Sequence, residues 1–579
     1  MKNSICKLLS KAAFFAALLF LVSGVSSAKP VESDGSDFPI KCGTFASPER
    51  RNQIAKTYES DTATGRPICQ AHYHSPNGKF FIHYDTTGVH AVDLKDANLN
   101  SVPDYVDSVA YYFEFVAQKY MDLGMPSPYP DDGKGGDSCY DIYLKDLGDA
   151  DKVPVNGNID VGGVYGLTEL GKQIDSSQPE KYESYIILDN NFSELDTARE
   201  YGKAPRPAYR ETGILGMKVT AAHEYFHAVQ FLYGIENITG RLISEMMSVY
   251  MEYTLFPESR DHVQYVNAML KRMGGDNNDI YFGNPSALSG YAFSVFVKYI
   301  TLKYGEESVP QIWEIMSKNN FDTYETYDAF FKTKGTDLKR AWMDFIPYLY
   351  FTGERAREGY LPLAKEYSTL KPYKNIIYKY PETTYTNVMK PYEVYLIRYQ
   401  FPISAEYTND TLDLLYTNND QYSPSHLQYD KQTDYTFIIK SSDLGTEGDP
   451  LFDYDPPKHY LTYSSGNGLV DYVKFEGKGV KIMSIVNAYP TPLQLKKDLI
   501  VYFPAPENTP AYSVCNLNIM DLSGATLFTQ NYKSGVYDGK KALVVETSSL
   551  ENKIGVGVYL FSVESGNNRV VGKFAVKEK

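Results

Sequence analysis

Residues 220–231 read Thr-Ala-Ala-His-Glu-Tyr-Phe-His-Ala-Val-Gln-Phe, and His223 to His227 form an HExxH pattern. In a helix, residues four positions apart lie on one face, so both imidazoles can reach one metal ion. Glu224 then lies beside the metal and can accept a proton from a water bound there. The stretch predicts a zinc site built on His223 and His227, with Glu224 as the general base.

Small and apolar residues surround the motif, and a glycine follows it. They are Ala221, Ala222, Ala228, Val229, Leu232 and Gly234. This composition favours a buried helix that ends near the glycine. Ionisable groups inside such a helix need partners, because buried charge is costly. The alternative is structural: His223 and His227 as hydrogen-bonded core histidines and Glu224 as a salt-bridge partner.

A catalytic zinc usually has three protein ligands, so the chain must supply another. Glu245 and Glu252 lie seven residues apart in a second helical stretch, about two turns, and therefore face the same way. The two stretches together resemble the gluzincin metallopeptidases, in which a glutamate on the helix after HExxH completes the site. A group of secreted bacterial metalloproteases shows the same HE-[FY]-FH-A-x-Q and E-x6-E helices. The resemblance implies Glu245 as third ligand and Glu252 as its support, or Glu252 as the ligand instead.

Three further positions refine the resemblance. Tyr233 stands six residues after His227, where a metzincin would have its third histidine, which disfavours that class. Gluzincin aminopeptidases place a tyrosine on a later helix to stabilise the transition-state oxyanion, and Tyr291 occupies a comparable place. Aminopeptidases also carry an acidic residue in a segment upstream of the zinc helix, and residues 213–217 lack it. The resemblance therefore favours an endopeptidase.

The chain begins with the features of an export signal. Lys2, Lys7 and Lys11 precede an apolar run, and a small-residue cleavage site follows at 26–28. We therefore expect residues 1–28 to be a signal peptide and the protein to be secreted, with no transmembrane segment. In an oxidising compartment Cys42 and Cys69 are the preferred disulfide. The net charge of -15 argues against nucleic acid and anionic membranes as partners.

Residues 96–107 have the spacing of a calcium-binding loop. The ligand positions 1, 3, 5, 7, 9 and 12 are taken by Asp96, Asn98, Asn100, Val102, Asp104 and Asp107. Ser101 replaces the usual glycine at position 6, and the aspartate at position 12 is shorter than the usual glutamate. The alternative is an Asx-rich turn that caps a helix from Pro103 to Leu123. The secreted metalloproteases carry a similar segment, so Ca²⁺ is a second predicted cofactor.

The length of the chain and the patterns along it predict a multidomain α+β protein of about three or four domains. Strands are expected at 79–84, 140–144 and 185–188. An N-terminal extension or propeptide (29–77) precedes a gluzincin-like, thermolysin/aminopeptidase-like catalytic domain (78–360), and a β-sandwich domain (361–503) follows. A proline-rich linker at 504–510 leads to residues 511–579.

These last residues resemble the Ig-like C-terminal sorting domain of type IX secretion. The likeness rests on D-x-x-G at 521–524, G-V-Y at 557–559 and the terminal K-F-x-V at 573–576. The alternative is an ordinary terminal β domain. The resemblance implies transport across an outer membrane by the type IX machinery.

These patterns together predict a secreted zinc metalloendopeptidase acting on protein or peptide substrates. Two alternatives remain open. One is a cell-surface adhesin or binding protein that keeps the HExxH helix only as structure. The other is a zinc aminopeptidase.

Overall fold

The computed structural model describes most of the chain from residue 41 onward. The described residues are 41–148, 162–174, 181–198, 204–234, 240–273, 279–284, 286–319, 322–377, 382–401, 410–418, 433–441, 459–465, 470–476, 485–506, 509–510, 512–537, 540–566 and 568–578. The predicted signal peptide and the first part of the predicted extension, residues 29–40, lie outside them.

The chain divides into two compact units. The first comprises residues 1–268 and 285–326, and the second comprises 269–284 and 327–579. Helices and several separate sheets are both present, so the predicted α+β class with more than one unit is confirmed. Among the described residues, no helix combines the length and the apolar character needed to span a bilayer.

A five-stranded sheet lies in the first unit, with strand order β1-β2-β3-β5-β4. The strands are β1 (Ala71–His74), β2 (Phe80–Tyr84), β3 (Tyr140–Lys145), β4 (Gly166–Gln173) and β5 (Tyr182–Asp189). β2, β3 and β5 run parallel, while β1 and β4 are antiparallel to their neighbours. β4 is therefore an edge strand. The three strands expected from the sequence are confirmed. A short pair follows, β6 (Thr197–Ala198) and β7 (Arg206–Pro207).

Helices make up most of the chain between residues 213 and 350. The helices, including two before this region, are α1 (Pro48–Ala55), α2 (Asp104–Asp122), α3 (Gly213–Gln230), α4 (Gly240–Leu255), α5 (Asp261–Arg272), α6 (Ala287–Tyr304), α7 (Ser308–Asn319), α8 (Thr323–Thr333) and α9 (Leu338–Tyr350). The predicted helix from 103 to 123 is confirmed as α2. The HExxH residues lie in α3, and both glutamates of the second stretch lie in α4.

Helix α3 is buried along most of its length, as its apolar sequence requires. It packs against β4, β5, α2 and α4. The Tyr120 hydroxyl of α2 donates a 2.6 Å hydrogen bond to the carbonyl of Ala222. At Gly166 a Cβ would lie 2.7 Å from Thr220 and 3.0 Å from Glu224. The absence of a side chain there lets β4 approach the HExxH residues closely.

The second unit contains two sheets between residues 374 and 476. Their strands are β8 (Lys374–Ile377), β9 (Glu382–Met389), β10 (Val394–Phe401), β11 (Asp410–Asn418), β12 (Thr433–Ser441), β13 (His459–Ser465) and β14 (Val470–Glu476). One sheet has the order β14-β11-β10-β8 and the other β13-β12-β9. The change from helices to strands expected after residue 360 is confirmed.

The last sheet has seven strands in the order β15-β21-β20-β17-β18-β19-β16. They are β15 (Ile485–Asn487), β16 (Ile500–Pro504), β17 (Val514–Met520), β18 (Thr526–Tyr537), β19 (Lys540–Glu546), β20 (Gly557–Ser565) and β21 (Asn568–Val576). β15 and β16 precede residue 511, where the sequence places the start of the last domain. The proline-rich stretch thus connects two strands of one sheet, and Phe503 shares a buried core with Phe561 and Phe574.

Candidate metal centre

The two motif histidines meet at their Nε2 atoms, 3.0 Å apart on one face of α3. Each ring is held from its other side. Nδ1 of His223 donates to Glu252 Oε1 (2.6 Å), and Nδ1 of His227 donates to Gln230 Oε1 (2.7 Å). With the protons on Nδ1, neutral rings would direct both Nε2 lone pairs to the same place. Such partners fix the tautomer and orientation of metal-binding histidines.

Glu245 lies at the same place, and Glu252 does not. Glu245 Oε2 is 3.1 Å from Nε2 of His223 and 3.7 Å from Nε2 of His227. The carboxylate is fully buried, and neither of its oxygens has a hydrogen-bond partner besides these two imidazole nitrogens. A buried carboxylate needs a cation nearby, either a protonated imidazole or a metal ion. The geometry therefore favours Glu245 as the third ligand and Glu252 as the support of His223.

A fourth group, Cys42, completes the cluster. Its Sγ lies 3.3 Å from Nε2 of His227, and the residue is 1% exposed. Cys42, His223, His227 and Glu245 all place a ligand atom within 4.8 Å of one another. The expected disulfide with Cys69 is not formed, since both cysteines are free thiols. The sequence did not indicate this role, because residues 42 and 227 are brought together only by the fold.

The separations of these atoms fit a zinc ion. Ligand atoms about 2.0–2.3 Å from a shared tetrahedral zinc stand about 3.3–3.7 Å apart. Four of the six separations are 3.0, 3.1, 3.3 and 3.7 Å, so two lie slightly below this range, and the other two are at most 4.8 Å. Two imidazoles, a carboxylate and a thiol are also the donor types that zinc takes most often in proteins. The four side chains could hold zinc with only small adjustments.

The electrostatics of the cluster favour positive charge. Burial lowers the pKa of His227, but Cys42 and Glu245 outweigh it and raise the value to about 10. Burial raises the pKa of Glu245, but its contacts with His223 and His227 lower the value to about 2. Groups that stabilise charge on the imidazoles would equally stabilise a cation between them.

Glu224 is 1% exposed and is held on the side of α3 that faces β4. Thr44 Oγ1 donates to Glu224 Oε2 (2.9 Å), and the hydroxyl of Thr168 lies 2.9 Å from the same oxygen. The Thr168 hydroxyl also lies 2.8 Å from the Glu224 carbonyl, so β4 contacts the motif through this side chain. These hydrogen bonds hold the Glu224 carboxylate in one orientation.

Tyr291 lies at the same centre, on α6. Its ring centroid is 6.2 Å from that of His223, and its hydroxyl accepts a 3.2 Å hydrogen bond from the Cys42 backbone N–H. The residue is fully buried, and α6 packs closely against α4. Gly290 permits this approach, because a Cβ there would lie 2.6 Å from the Cβ of Glu245. The structure therefore brings Tyr291 to the predicted zinc ligands.

Several polar groups of the predicted calcium loop are hydrogen-bonded to each other. Asn98 and Asn100 both donate to Asp107 Oδ2 at 2.8 Å, and the Asn100 and Ser101 N–H groups donate to Asp96. Ser101 has φ +68°, the left-handed conformation for which calcium loops use glycine at this position. α2 begins at Asp104, and its N-cap residue, Pro103, makes no side-chain capping hydrogen bond. Calcium binding at this loop stays a prediction.

Two further groups of side chains lie close enough to share an ion among the described residues. One is exposed or partly exposed and consists of His74, Asp137 and Cys139; the other is buried and consists of Asp146, Asp189 and Asp196. The sequence singled out neither group. Their members come from different strands and loops, so no spacing in the sequence marks them.

Comparison with protein-family models gives no match, and comparison with curated proteins gives none either.

Proposed function

We propose that this protein is a secreted zinc metalloendopeptidase of the gluzincin type. The observation that carries the proposal is the convergence of both Nε2 atoms with the buried carboxylate of Glu245, on a helix that also carries the buried Glu224. An HExxH helix with a glutamate from the following helix is the ligand arrangement of the gluzincins that the sequence resembles.

Each residue of the site would have a separate role in hydrolysis. Zinc held by His223, His227 and Glu245 would supply Lewis acidity toward a water and a peptide carbonyl. Glu224 accepts the proton of the attacking water and returns it to the leaving amine. Thr168 holds the carboxylate of Glu224 in position. Burial of the centre strengthens each of these electrostatic interactions.

Tyr291 is proposed as the donor to the oxyanion. Its hydroxyl reaches the centre from α6, and burial keeps its pKa well above the usual value, so it remains a proton donor at neutral pH. The helical segment upstream of the motif offers no carboxylate from residues 213–217 that could bind a substrate amine. We therefore assign cleavage within chains rather than from their N-termini.

The test is metal content combined with hydrolysis of casein. Because Cys42 and Thr44 contact the proposed catalytic residues, the comparison is made in a Cys42→Ser background. Glu224→Gln in that background should retain one equivalent of zinc while hydrolysis falls at least about 10³-fold. Undiminished hydrolysis would remove Glu224 from the mechanism. A chain without stoichiometric zinc that is also inert toward casein would instead support the adhesin.

We also propose that residues 511–579 carry the protein through the type IX secretion machinery. The support comes from the motifs at 521–524, 557–559 and 573–576. The first forms the turn between β17 and β18, where Asp521 Oδ1 accepts from the Ser523 and Ala525 N–H groups. The other two lie in the paired strands β20 and β21. Deleting β21 in a host with this machinery should retain the protein inside the cell.

A further inference from the structure

We propose that residues 41–44 hold the metal centre in a latent state, with the Cys42 sulfur as a fourth zinc ligand that excludes water and substrate. This inference rests on the proposed peptidase function for its consequence, but its ligand assignment can be tested separately. We name these residues, Lys41-Cys42-Gly43-Thr44, the blocking segment. It belongs to the predicted extension (29–77) and precedes the catalytic helices by about 170 residues.

The blocking segment contacts each group that the reaction needs. Cys42 Sγ lies 3.3 Å from His227 Nε2, and the Cys42 N–H donates to the hydroxyl of Tyr291. Thr44 donates to the carboxylate of Glu224. Two residues of the segment, Cys42 and Thr44, thus engage a proposed zinc ligand, the oxyanion donor and the general base. A segment that merely passed over the site would not match all three.

The second observation is the carboxylate of Glu245, which has no partner besides the two imidazoles. It is fully buried and faces the same point as the Cys42 sulfur. A zinc bound there would have four protein ligands, the closed set typical of structural sites, whereas catalytic sites keep one position open for water. With Cys42 bound, no coordination position is left for the attacking water. Release of the sulfur would restore the open position.

The blocking segment also occupies the edge of the five-stranded sheet. Cys42 pairs with Gly166, where the Gly43 N–H donates to the Gly166 carbonyl at 2.9 Å. The Tyr165 N–H donates to the Lys41 carbonyl at 2.8 Å. Edge strands bind extended chains through such backbone bonds. These backbone hydrogen bonds hold the blocking segment on β4.

Lys41 anchors the segment from the other side. Its Nζ contacts Glu252 Oε2 at 2.6 Å and Asp261 Oδ2 at 2.5 Å, and the side chain is 3% exposed. Glu252 is the same carboxylate that orients His223. Docking of the segment and the geometry of the metal ligands therefore share one residue. Gly43 fits closely, because a Cβ there would lie 2.9 Å from the Cβ of Leu167.

The ligand assignment is tested with the full chain loaded with Co²⁺, which replaces zinc and shows a near-ultraviolet charge-transfer band when a thiolate coordinates it. The wild type should show the band, and Cys42→Ser should lose it while still binding one equivalent of cobalt. Cys69→Ser, which changes a cysteine that belongs to none of the candidate metal groups, is the matched control and should keep the band. Gly43→Val keeps the thiol but displaces the segment from β4, and it should also lose the band.

Latency is tested on the zinc-loaded proteins with casein. Cys42→Ser should hydrolyse casein at least tenfold faster than the wild type and the Cys69→Ser control. A band that persists in Cys42→Ser would overturn the ligand assignment. Loss of the band with equal, measurable rates would overturn latency while leaving the peptidase intact. If Cys42→Ser loses the band but no variant hydrolyses casein faster than Glu224→Gln, the peptidase function is overturned. Cys42 would then remain a metal ligand.

Discussion

Replacing Glu245 with Gln should weaken zinc binding far more than replacing Glu252 with Gln. The two residues lie on the same helix, both are buried, and both contact His223. They differ in which side of the imidazole they face. Glu245 approaches Nε2, where the metal would bind, and Glu252 accepts from Nδ1. The pair of variants therefore separates direct ligation from support of a ligand.

The expected magnitudes follow from these positions. Zinc sites with four protein ligands bind with about 10–16 kcal/mol, so one ligand contributes about 3–4 kcal/mol, or a hundredfold or more in affinity. Loss of a group that orients a ligating histidine costs about 10–100-fold, or about 1.4–2.7 kcal/mol. Glu252→Gln also leaves Lys41 with only Asp261 as its partner, so this variant should be less stable to unfolding.

The assay is competition for zinc with a chromophoric chelator, in the full chain and at neutral pH. Circular dichroism of each variant establishes that it is folded under the conditions of the titration. We expect the zinc dissociation constant of Glu245→Gln to exceed that of Glu252→Gln by about tenfold. If Glu252→Gln loses as much affinity as Glu245→Gln, or more, then Glu252 is the ligand and the geometric reasoning is wrong.

Further predictions concern the environment of the centre. Gly290→Ala should destabilise the protein by about 1–3 kcal/mol in urea unfolding, because its Cβ would meet that of Glu245, whereas Gly555→Ala, with open space around it, should have almost no effect; equal effects would contradict this. Tyr291→Phe in the Cys42→Ser background should lower casein turnover about 10²–10³-fold with zinc content unchanged, and full turnover would exclude the tyrosine as a donor. Removing zinc with a chelator should lower the melting temperature, since zinc at a thousand times its dissociation constant stabilises by about 4 kcal/mol; an unchanged melting temperature would exclude a zinc that binds only the folded chain.

Much of the secondary structure was predictable because its signals are local. The helix from 104 to 122, the strands at 80–84, 140–145 and 182–189, and the change to strands after residue 360 all follow from spacing within short stretches. The number of strands in the last sheet was not predictable in the same way. β15 and β16 join the last sheet through pairings with β21 and β19, many residues later in the chain.

The candidate site divides in a similar manner. His223 and His227 are four residues apart, so any helix places them on one face, and Glu224 lies beside the first of them. Glu245 and Glu252 were both plausible from the sequence, since seven residues place them on one side of a helix. Choosing between them required the position of α4 against α3. Cys42 was assigned to a disulfide with Cys69, because a pair of nearby cysteines in an exported chain is the simplest interpretation of the sequence.

The sequence by itself indicated the two histidines, Glu224 and the two candidate glutamates of the proposed metal centre, together with the helices that carry them, because helical periodicity acts over a few residues and needs no partner. Only the tertiary structure decided which groups share one point in space. Glu245 reaches the histidines through packing of α4 on α3, Tyr291 through the close approach at Gly290, and Cys42 through pairing with the edge of β4. These contacts join residues up to about 250 positions apart, and no local pattern in a single sequence encodes such distances.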